Sequence, residues 1–587
     1  MGDLHSEGVT SMELIERPRE PLPGLDALYL LRPTPANIDY VLADFQSSAE
    51  PQHRHAHFAF TQALPHDLMA MLAESKTLAP RVKSFMEAPL TYLHIQDRGF
   101  HFDMLDSLPA LFPVADPALV QEVAHKLADV CRCLHVTSPC IRHAATLTCK
   151  LVAEQVQEEL SVSRSGGKGE HIPCQLLVLD RSIDMAATLV HEYTYEAMSF
   201  DLLDGGVLDV DRNLVTLPGT PEREVLLSDV DPLWQELKHA HLEDVQRTID
   251  AKVEEVKRQN ATPQDSGQIS TAELLDMLRR SPEQREVMDR LFLHMTLIEQ
   301  IFKRLQQECL TSGVGLVEQD IACGVDREGK DVKSTSLQSA ISRAFSDMDG
   351  GQLSSESKLR LLMLYFTCMA NVSEVARQRL IELARLEPED QDVLMAMLRT
   401  KLMEVPESQR HRHGSGAVHR VTKEQAARFK RNARSDGRFE LSRFEPRVKE
   451  VLEQLAQGRL SSEDFPALEG CDNPTNSLRS AAAAPQPAAD DWSFAAVPEG
   501  SAPGTRRSDV AESPVRATVS QRIIVFVIGG ITHSELRSAA EVLQGLPKST
   551  ELLLGGTALL TPRKLMSALR PRRGGGTTGE TDPLDLT

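Results

Sequence analysis

Residues 176–203 read Leu-Leu-Val-Leu-Asp-Arg-Ser-Ile-Asp-Met-Ala-Ala-Thr-Leu-Val-His-Glu-Tyr-Thr-Tyr-Glu-Ala-Met-Ser-Phe-Asp-Leu-Leu. Leu176 to Leu179 is an unbroken apolar run closed by Asp180, the pattern of a parallel strand covered on both faces. The acid-rich helical segment behind it matches no common catalytic motif, which points to binding rather than chemistry. Asp180, Arg181 and Asp184 read as an ion-paired strand end that positions this helix. Two distant runs, Ile523 to Ile528 and Glu551 to Leu554, have the same buried-strand character and are expected to share the sheet of Leu176 to Leu179.

Nearer the start, Leu25 to Leu31 is a strand, ended by Arg32-Pro33-Thr34-Pro35 before a helical stretch from Asn37 to Phe45. A strand at His57 to Phe60, a helix at Pro65 to Glu74 with Leu68, Met71 and Leu72 on one face, and a strand at Thr91 to Ile95 continue the alternation. Strands alternating with helices argue a parallel sheet.

Between the two α/β regions the chain is mostly helical. In Pro282 to Leu305, Val287, Leu291, His294, Ile298, Ile301 and Leu305 lay one stripe along a helix, with Ser281 as cap and Gln284 completing a capping box. His294 reads as a hydrogen-bonded core histidine. Leu337 to Met348 is a second helix, expected to fold back on the first, and Lys358 to Met369 is apolar around most of its circumference, as a buried helix would be. Arg410 to Arg438 reads as a basic loop, Cys471 to Gln521 as a flexible linker and the residues beyond Arg570 as a disordered tail.

Composition limits the function. At 587 residues the chain exceeds one core. A net charge of −21 repels nucleic acid and anionic headgroups at long range, so protein partners are favoured. Nine scattered cysteines without a signal peptide read as reduced cytosolic thiols. The longest apolar run, Ile523 to Ile528, is far below the ~18 residues that span a bilayer. The opening Met-Gly-Asp-Leu-His-Ser fits the loose myristoylation pattern, but the acidic residue after Gly2 makes a poor acceptor.

The enzymatic motifs are incomplete. Gly529-Gly530 lies between a strand and a capped helix, where an α/β enzyme would hold phosphate, but the third glycine is missing; Thr532 and Glu535 fit a capping box instead. Ser165-Gly166-Gly167-Lys168-Gly169 lacks the spacing of a P-loop, and His191-Glu192 lacks the second histidine of a metalloprotease helix. Cys131, Cys133, Cys140, Cys149, His135 and His143 could supply zinc ligands, although Cys131 and Cys133 cannot share a helix face. His53, His55 and His57 alternate, as at a surface strand entry. The rival reading is an α/β enzyme or nucleotide-binding protein using the Gly529-Gly530 turn.

Besides residues 176–203, several blocks in order resemble the exocytic, syntaxin-binding branch of the Sec/Munc (SM) family: Arg19 to Leu30, Val317 to Ala322, Leu441 to Pro446, Ile524 to Glu535 and Gly555 to Pro562. The resemblance implies α/β plus mainly α architecture. It would be a three-domain arch of two Rossmann-like parallel-sheet domains with a large helical domain inserted in the second. On this chain the units fall at 1–93, 94–204 with 522–570, and 205–470, with the linker at 471–521 and the tail at 571–587.

The resemblance further implies a SNARE regulator and chaperone controlling vesicle docking, fusion and exocytosis. The chain would be a monomer in a heteromeric complex with a syntaxin-type SNARE or an assembled SNARE complex. It would bind no nucleic acid, consume no cofactor and reach the membrane only through its SNARE, at the plasma membrane or vesicle docking sites. The matching positions are Met69, Phe85 and Glu87 for the syntaxin N-terminal peptide, Glu13, Arg17 and Glu20 for the SNARE cavity, and Val317, Asp320, Lys333 and Thr335 for a SNARE-engaging helical hairpin. Relative to the family, the first strand and its helix are missing, which puts clamping of closed syntaxin in doubt. Lys333-Ser334-Thr335-Ser336 stands where many relatives carry proline at the hairpin bend.

Overall fold

A computed structural model of the chain describes residues 8–46, 51–162, 172–260, 282–400, 440–471 and 520–571, apart from positions 63, 89, 97, 114, 219–222, 312, 347–352 and 370–371. The capping box at Ser281, the Gly-Gly-Lys segment at 165–169, the basic stretch from 410 to 438, nearly all of the linker and the tail lie outside them.

The largest sheet has six strands, in the order Leu93–Ile95, Gly99–His101, Thr550–Gly556, Gln521–Ile528, Cys174–Asp180 and Cys140–His143. All neighbours are parallel except Leu93–Ile95, which runs antiparallel to Gly99–His101. Ile524 pairs with Leu176 and Leu553, so the three apolar runs do share one sheet. Their lack of alternation has a direct cause. Leu176, Val178, Ile524, Phe526 and Ile528 face one core with the helices Pro117–Cys133 and Leu147–Val162. Leu177, Leu179, Ile523, Val525 and Val527 face another with the helices Arg447–Ala456 and His533–Gln544. Each such side chain contributes about 1.5–3 kcal/mol by leaving water, so the two-sided strands are the most strongly held part of the chain.

Gly555 is required here. A Cβ on it would come within 2.2 Å of the Phe100 ring, which lies near-parallel to Phe526 at 6.1 Å.

The described residues between Asp180 and Gln521 are mainly helical, and the chain leaves and re-enters this sheet at neighbouring strands. Its centre is Ser355–Cys368, buried at every position from Lys358 to Cys368, as the ring of apolar residues predicts. In Pro282–Gln307 the stripe is buried from Leu291 to Leu305, but Val287 is exposed. Ser334–Ser346 departs from expectation: it packs chiefly against Gly313–Cys323 and Glu374–Ala384 instead of running along Pro282–Gln307. The long helix paired with Pro282–Gln307 is Leu242–Asn260.

A separate sheet near the start has three parallel strands in the order Ala27–Leu31, Ala56–Phe60 and Val82–Glu87. Tyr29, Leu31, Phe58 and Phe60 pack with Ile38, Val41, Leu68 and Leu72 of the helices Pro35–Asp44 and His66–Glu74. Two expectations are corrected. The third strand is Val82–Glu87, whose side chains are mostly exposed and show no apolar rhythm, while the strand at Thr91 to Ile95 joins the edge of the large sheet. The expectation of nine reduced thiols is also corrected, because Cys140 and Cys471 are joined by a disulfide.

Candidate partner-binding site

The signature stretch supplies the frame of the molecule. Arg181, fully buried, sends its guanidinium to the Glu535 carboxylate at 2.6 and 2.9 Å, to the Gly530 carbonyl at 3.0 Å and to the Asp184 carbonyl at 2.7 Å. Burial works against its charge, but Glu535 more than compensates, so its pKa is raised. Glu535 is its direct ion-pair partner, and the Asp184 and Asp180 carboxylates of the expected strand-end cluster add weaker attraction to the same charge. The Asp180 carboxylate accepts from Thr146 and Ser182, and that of Asp184 accepts the backbone N–H groups of Ala187 and Arg447.

This arrangement also fills the glycine turn. Gly529 donates its N–H to Thr557 Oγ1 at 2.9 Å, and both Gly529 and Gly530 have positive φ. A Cβ on Gly529 would lie 2.8 Å from that of Arg181. Glu535 forms the expected capping box with Thr532, so its carboxylate occupies the helix start where a phosphate would have to sit.

A second polar cluster joins the helical region to the large sheet. Glu196, on the helix Tyr195–Leu202, is buried beside Gln96, with His533 Nδ1 3.3 Å and His239 Nδ1 3.7 Å from its oxygens. Burial raises the Glu196 pKa, but the two imidazoles outweigh it and the net shift is downward. Nearby, Arg360 clamps Asp201 at 2.7 and 2.8 Å and His191 meets Glu318 at 2.7 Å. His294 lies between the Tyr195 hydroxyl at 2.8 Å and Asp231 at 3.1 Å, a hydrogen-bonded core histidine as its stripe position suggests.

His53, His55 and His57 have separate roles. His53 lies against Tyr29, His55 meets Asp26 at 2.9 Å and His57 meets Ser84 at 2.8 Å. Among the described residues no group of three or more His, Cys, Asp or Glu is arranged to hold a metal ion. Nor is any described helix long and apolar enough to cross a membrane.

The peptide-site residues lie on the three-stranded unit. Phe85 and Glu87 are two residues apart on its edge strand, and Phe85 remains 42% exposed although its ring meets Phe60 at 5.4 Å. Glu87 accepts the Leu64 N–H at 2.8 Å, which ties the strand to the start of the helix carrying Met69, itself 42% exposed. Two uncovered apolar side chains and one fixed carboxylate thus belong to one corner of the fold.

Glu13, Arg17 and Glu20 are all exposed along the irregular lead-in to the first strand. The anchored residue there is Arg19, which grips Asp44 at 2.9 and 3.0 Å. The hairpin residues divide differently. Val317 is half-buried against the helical core, and Asp320 is taken by Arg443 at 2.6 Å, whereas Lys333 and Thr335 flank the start of Ser334–Ser346. Sequence reasoning passed over Leu28 and Leu30, which are exposed on the sheet face opposite Tyr29 and Leu31. Their signal was present, since a strand apolar at every position asks for cover on both sides.

Comparison with known proteins gives consistent matches. A model described as the Sec1 family matches residues 1–568. The SNARE-interacting protein KEULE of Arabidopsis thaliana is 29% identical, covering 97% of this chain and 89% of that protein. The structure of the Unc18-syntaxin 1 complex from Monosiga brevicollis superposes with a TM-score of 0.75 at 23% identity, covering 97% of this chain and 92% of the other. Sly1p in complex with an N-terminal peptide of Sed5p gives 0.66 at 17% identity, covering 97% and 88%. At these identities the two structures establish the fold: parallel-sheet units with a large helical insertion, in an arch.

Proposed function

The chain belongs to the Sec1 family, whose members are regulators and not enzymes, and on that footing we propose that it binds a syntaxin-type SNARE and chaperones SNARE assembly. The observation that carries the reading is the family match across residues 1–568. In this role it controls vesicle docking, fusion and exocytosis as one subunit of a heteromeric complex. It works from the cytoplasmic side and reaches the membrane through its partner.

Within this reading the N-terminal peptide of the SNARE docks at Met69, Phe85 and Glu87. The apolar pair takes a hydrophobic anchor and the carboxylate takes a basic or amide group. Glu13, Arg17 and Glu20 face the cavity that holds the body of the SNARE, and Val317, Asp320, Lys333 and Thr335 serve SNARE helices during assembly. The unit boundaries are taken from the sequence reading, at 93, 204, 470, 521 and 570, except that Leu93 opens a strand of the large sheet and the helix Arg447–Ala456 with residues 464–471 packs on that sheet. A chain this acidic suits a partner segment that carries basic residues.

Calorimetric titration of the full chain with the cytoplasmic segment of a syntaxin-type SNARE, intact and without its N-terminal peptide, tests this. Glu87→Lys and Phe85→Ala should each weaken binding of the intact segment about tenfold and leave the shortened one unchanged. If both variants bind the intact segment as tightly as the unaltered chain does, the site assignment is removed. No heat with either segment removes the function.

A further inference from the structure

The outer edge of the six-stranded sheet is closed by a strap. Among the described residues Cys140–His143 is the last strand on this side of the sheet, and an open strand edge offers unpaired backbone groups to any passing chain. Residues 464–471 cover it. His143 donates its N–H to the Pro466 carbonyl at 3.1 Å, Ala145 donates to Asp464 at 3.1 Å and Leu468 donates to Ile141 at 3.0 Å, with an antiparallel bridge between Arg142 and Ala467. Gln157 holds the Glu469 carbonyl at 2.9 Å from the neighbouring helix. At the far end of the strap Cys471 is bonded to Cys140, the first residue of the edge strand, with their Cα atoms 4.8 Å apart. The linker of residues 472–519 begins directly after it.

These two sulfurs differ from most of the others. Cys131, Cys149, Cys174, Cys323 and Cys368 are buried, and burial pushes their thiols up, to about 12 for Cys131 and Cys323. They are poor thiolates. Cys140 and Cys471 are only partly covered, so a small reagent can reach them.

We propose that Cys140 and Cys471 form a reversible thiol–disulfide clasp that fastens the strap over the sheet edge, closed by small-molecule disulfides and opened by small-molecule thiols. In closing, one cysteine thiolate attacks a glutathione-type disulfide and forms a mixed disulfide, releasing one thiol. The second cysteine thiolate then displaces the other, so two protein thiols become one S–S bond and the small disulfide becomes two thiols. A reducing shift opens the clasp and an oxidising shift closes it. Closed, it fixes the point from which the linker departs. Open, it leaves the strap with its backbone hydrogen bonds alone.

The test equilibrates the full chain in glutathione buffers of graded thiol-to-disulfide ratio, blocks remaining thiols by alkylation and maps peptides without reduction. Hydrogen exchange is followed in parallel. We expect one cross-linked pair, joining the peptides of Cys140 and Cys471, whose fraction follows the ratio reversibly. On opening, residues 464–471 should exchange about tenfold faster, while the central strands are unchanged. Cys471→Ser should exchange as the open form under every buffer, and Cys309→Ser should respond as the unaltered chain does. Full alkylation of both cysteines at every ratio, a bond that no ratio opens, or identical exchange of 464–471 in both states would overturn the proposal.

Discussion

In the six-stranded sheet both faces of the central strands are dry, whereas in the three-stranded sheet the edge strands leave at least one face wet. Every side chain of Cys174–Asp180 is buried, but in Ala27–Leu31 only Tyr29 and Leu31 are, while Leu28 and Leu30 stand 68% and 58% exposed. Both sheets are parallel and built from apolar strands, so the difference lies in what has been laid over them. The first holds the molecule together with groups that have no contact with water. The second keeps apolar and charged groups at the surface, where the proposed contacts with the SNARE N-terminal peptide are. Stability and recognition are thus separated in space, and substitutions should separate them too.

The largest effect belongs to Glu535→Ala. It leaves the Arg181 guanidinium buried without its carboxylate, and removing one member of a buried pair costs about 3–5 kcal/mol. Denaturant unfolding measures this, and Arg181→Met added to Glu535→Ala should recover much of it. A loss below about 1 kcal/mol would mean that the buried pair does not organise the sheet.

Acid should act on the junction cluster next. Burial pushes the His239 pKa below its usual 6.5, so the folded chain resists a proton that the unfolded chain accepts. The associated stability is present above pH 6.5 and is lost as the pH falls below it. Glu196, net depressed below 4.5, adds a further loss as the pH falls through its folded-state pKa. Melting temperatures should fall by a few degrees between pH 7.5 and 5.5, and His239→Gln should remove part of that fall. His53 and His101, also pushed down by burial, account for a remainder of the same sign. No difference between His239→Gln and the unaltered chain would place the acid response elsewhere.

The smallest effect is expected at Leu30→Lys, which should change stability by no more than about 0.5 kcal/mol because the side chain is already wet. A loss comparable to that of Glu535→Ala would show that the open face is covered in solution, and the contrast between the sheets would narrow.

The sequence carries the strongly buried elements plainly and the thinly buried ones poorly. Leu176 to Leu179 and Ile523 to Ile528 were legible because two-sided burial leaves an unbroken apolar run. Val82–Glu87 was not, because an exposed edge strand such as Val-Lys-Ser-Phe-Met-Glu imposes no pattern. Thr91 to Ile95 was legible as a strand but not in its sheet, since pairing partners leave no local trace. The same limit hid Glu535 from Arg181 and Cys471 from Cys140, contacts that close only across hundreds of residues. At the proposed site Phe85 and Glu87 were picked out by family resemblance, not by physics, because a surface residue that binds looks like one that does not.

The order of strands in the large sheet constrains how the chain comes to be folded as it is made. Leu93–Ile95, Gly99–His101, Cys140–His143 and Cys174–Asp180 emerge early, yet they occupy the two flanks. The pair that belongs between them, Gln521–Ile528 and Thr550–Gly556, comes last. Until that pair has been made the flanks share no neighbour, and the face of Cys174–Asp180 that carries Leu177 and Leu179 must wait while the helical insertion is made. A growing chain with such long-range closure folds slowly and exposes sticky edges meanwhile. It should therefore lean on holding chaperones during translation more than its compact helices would suggest.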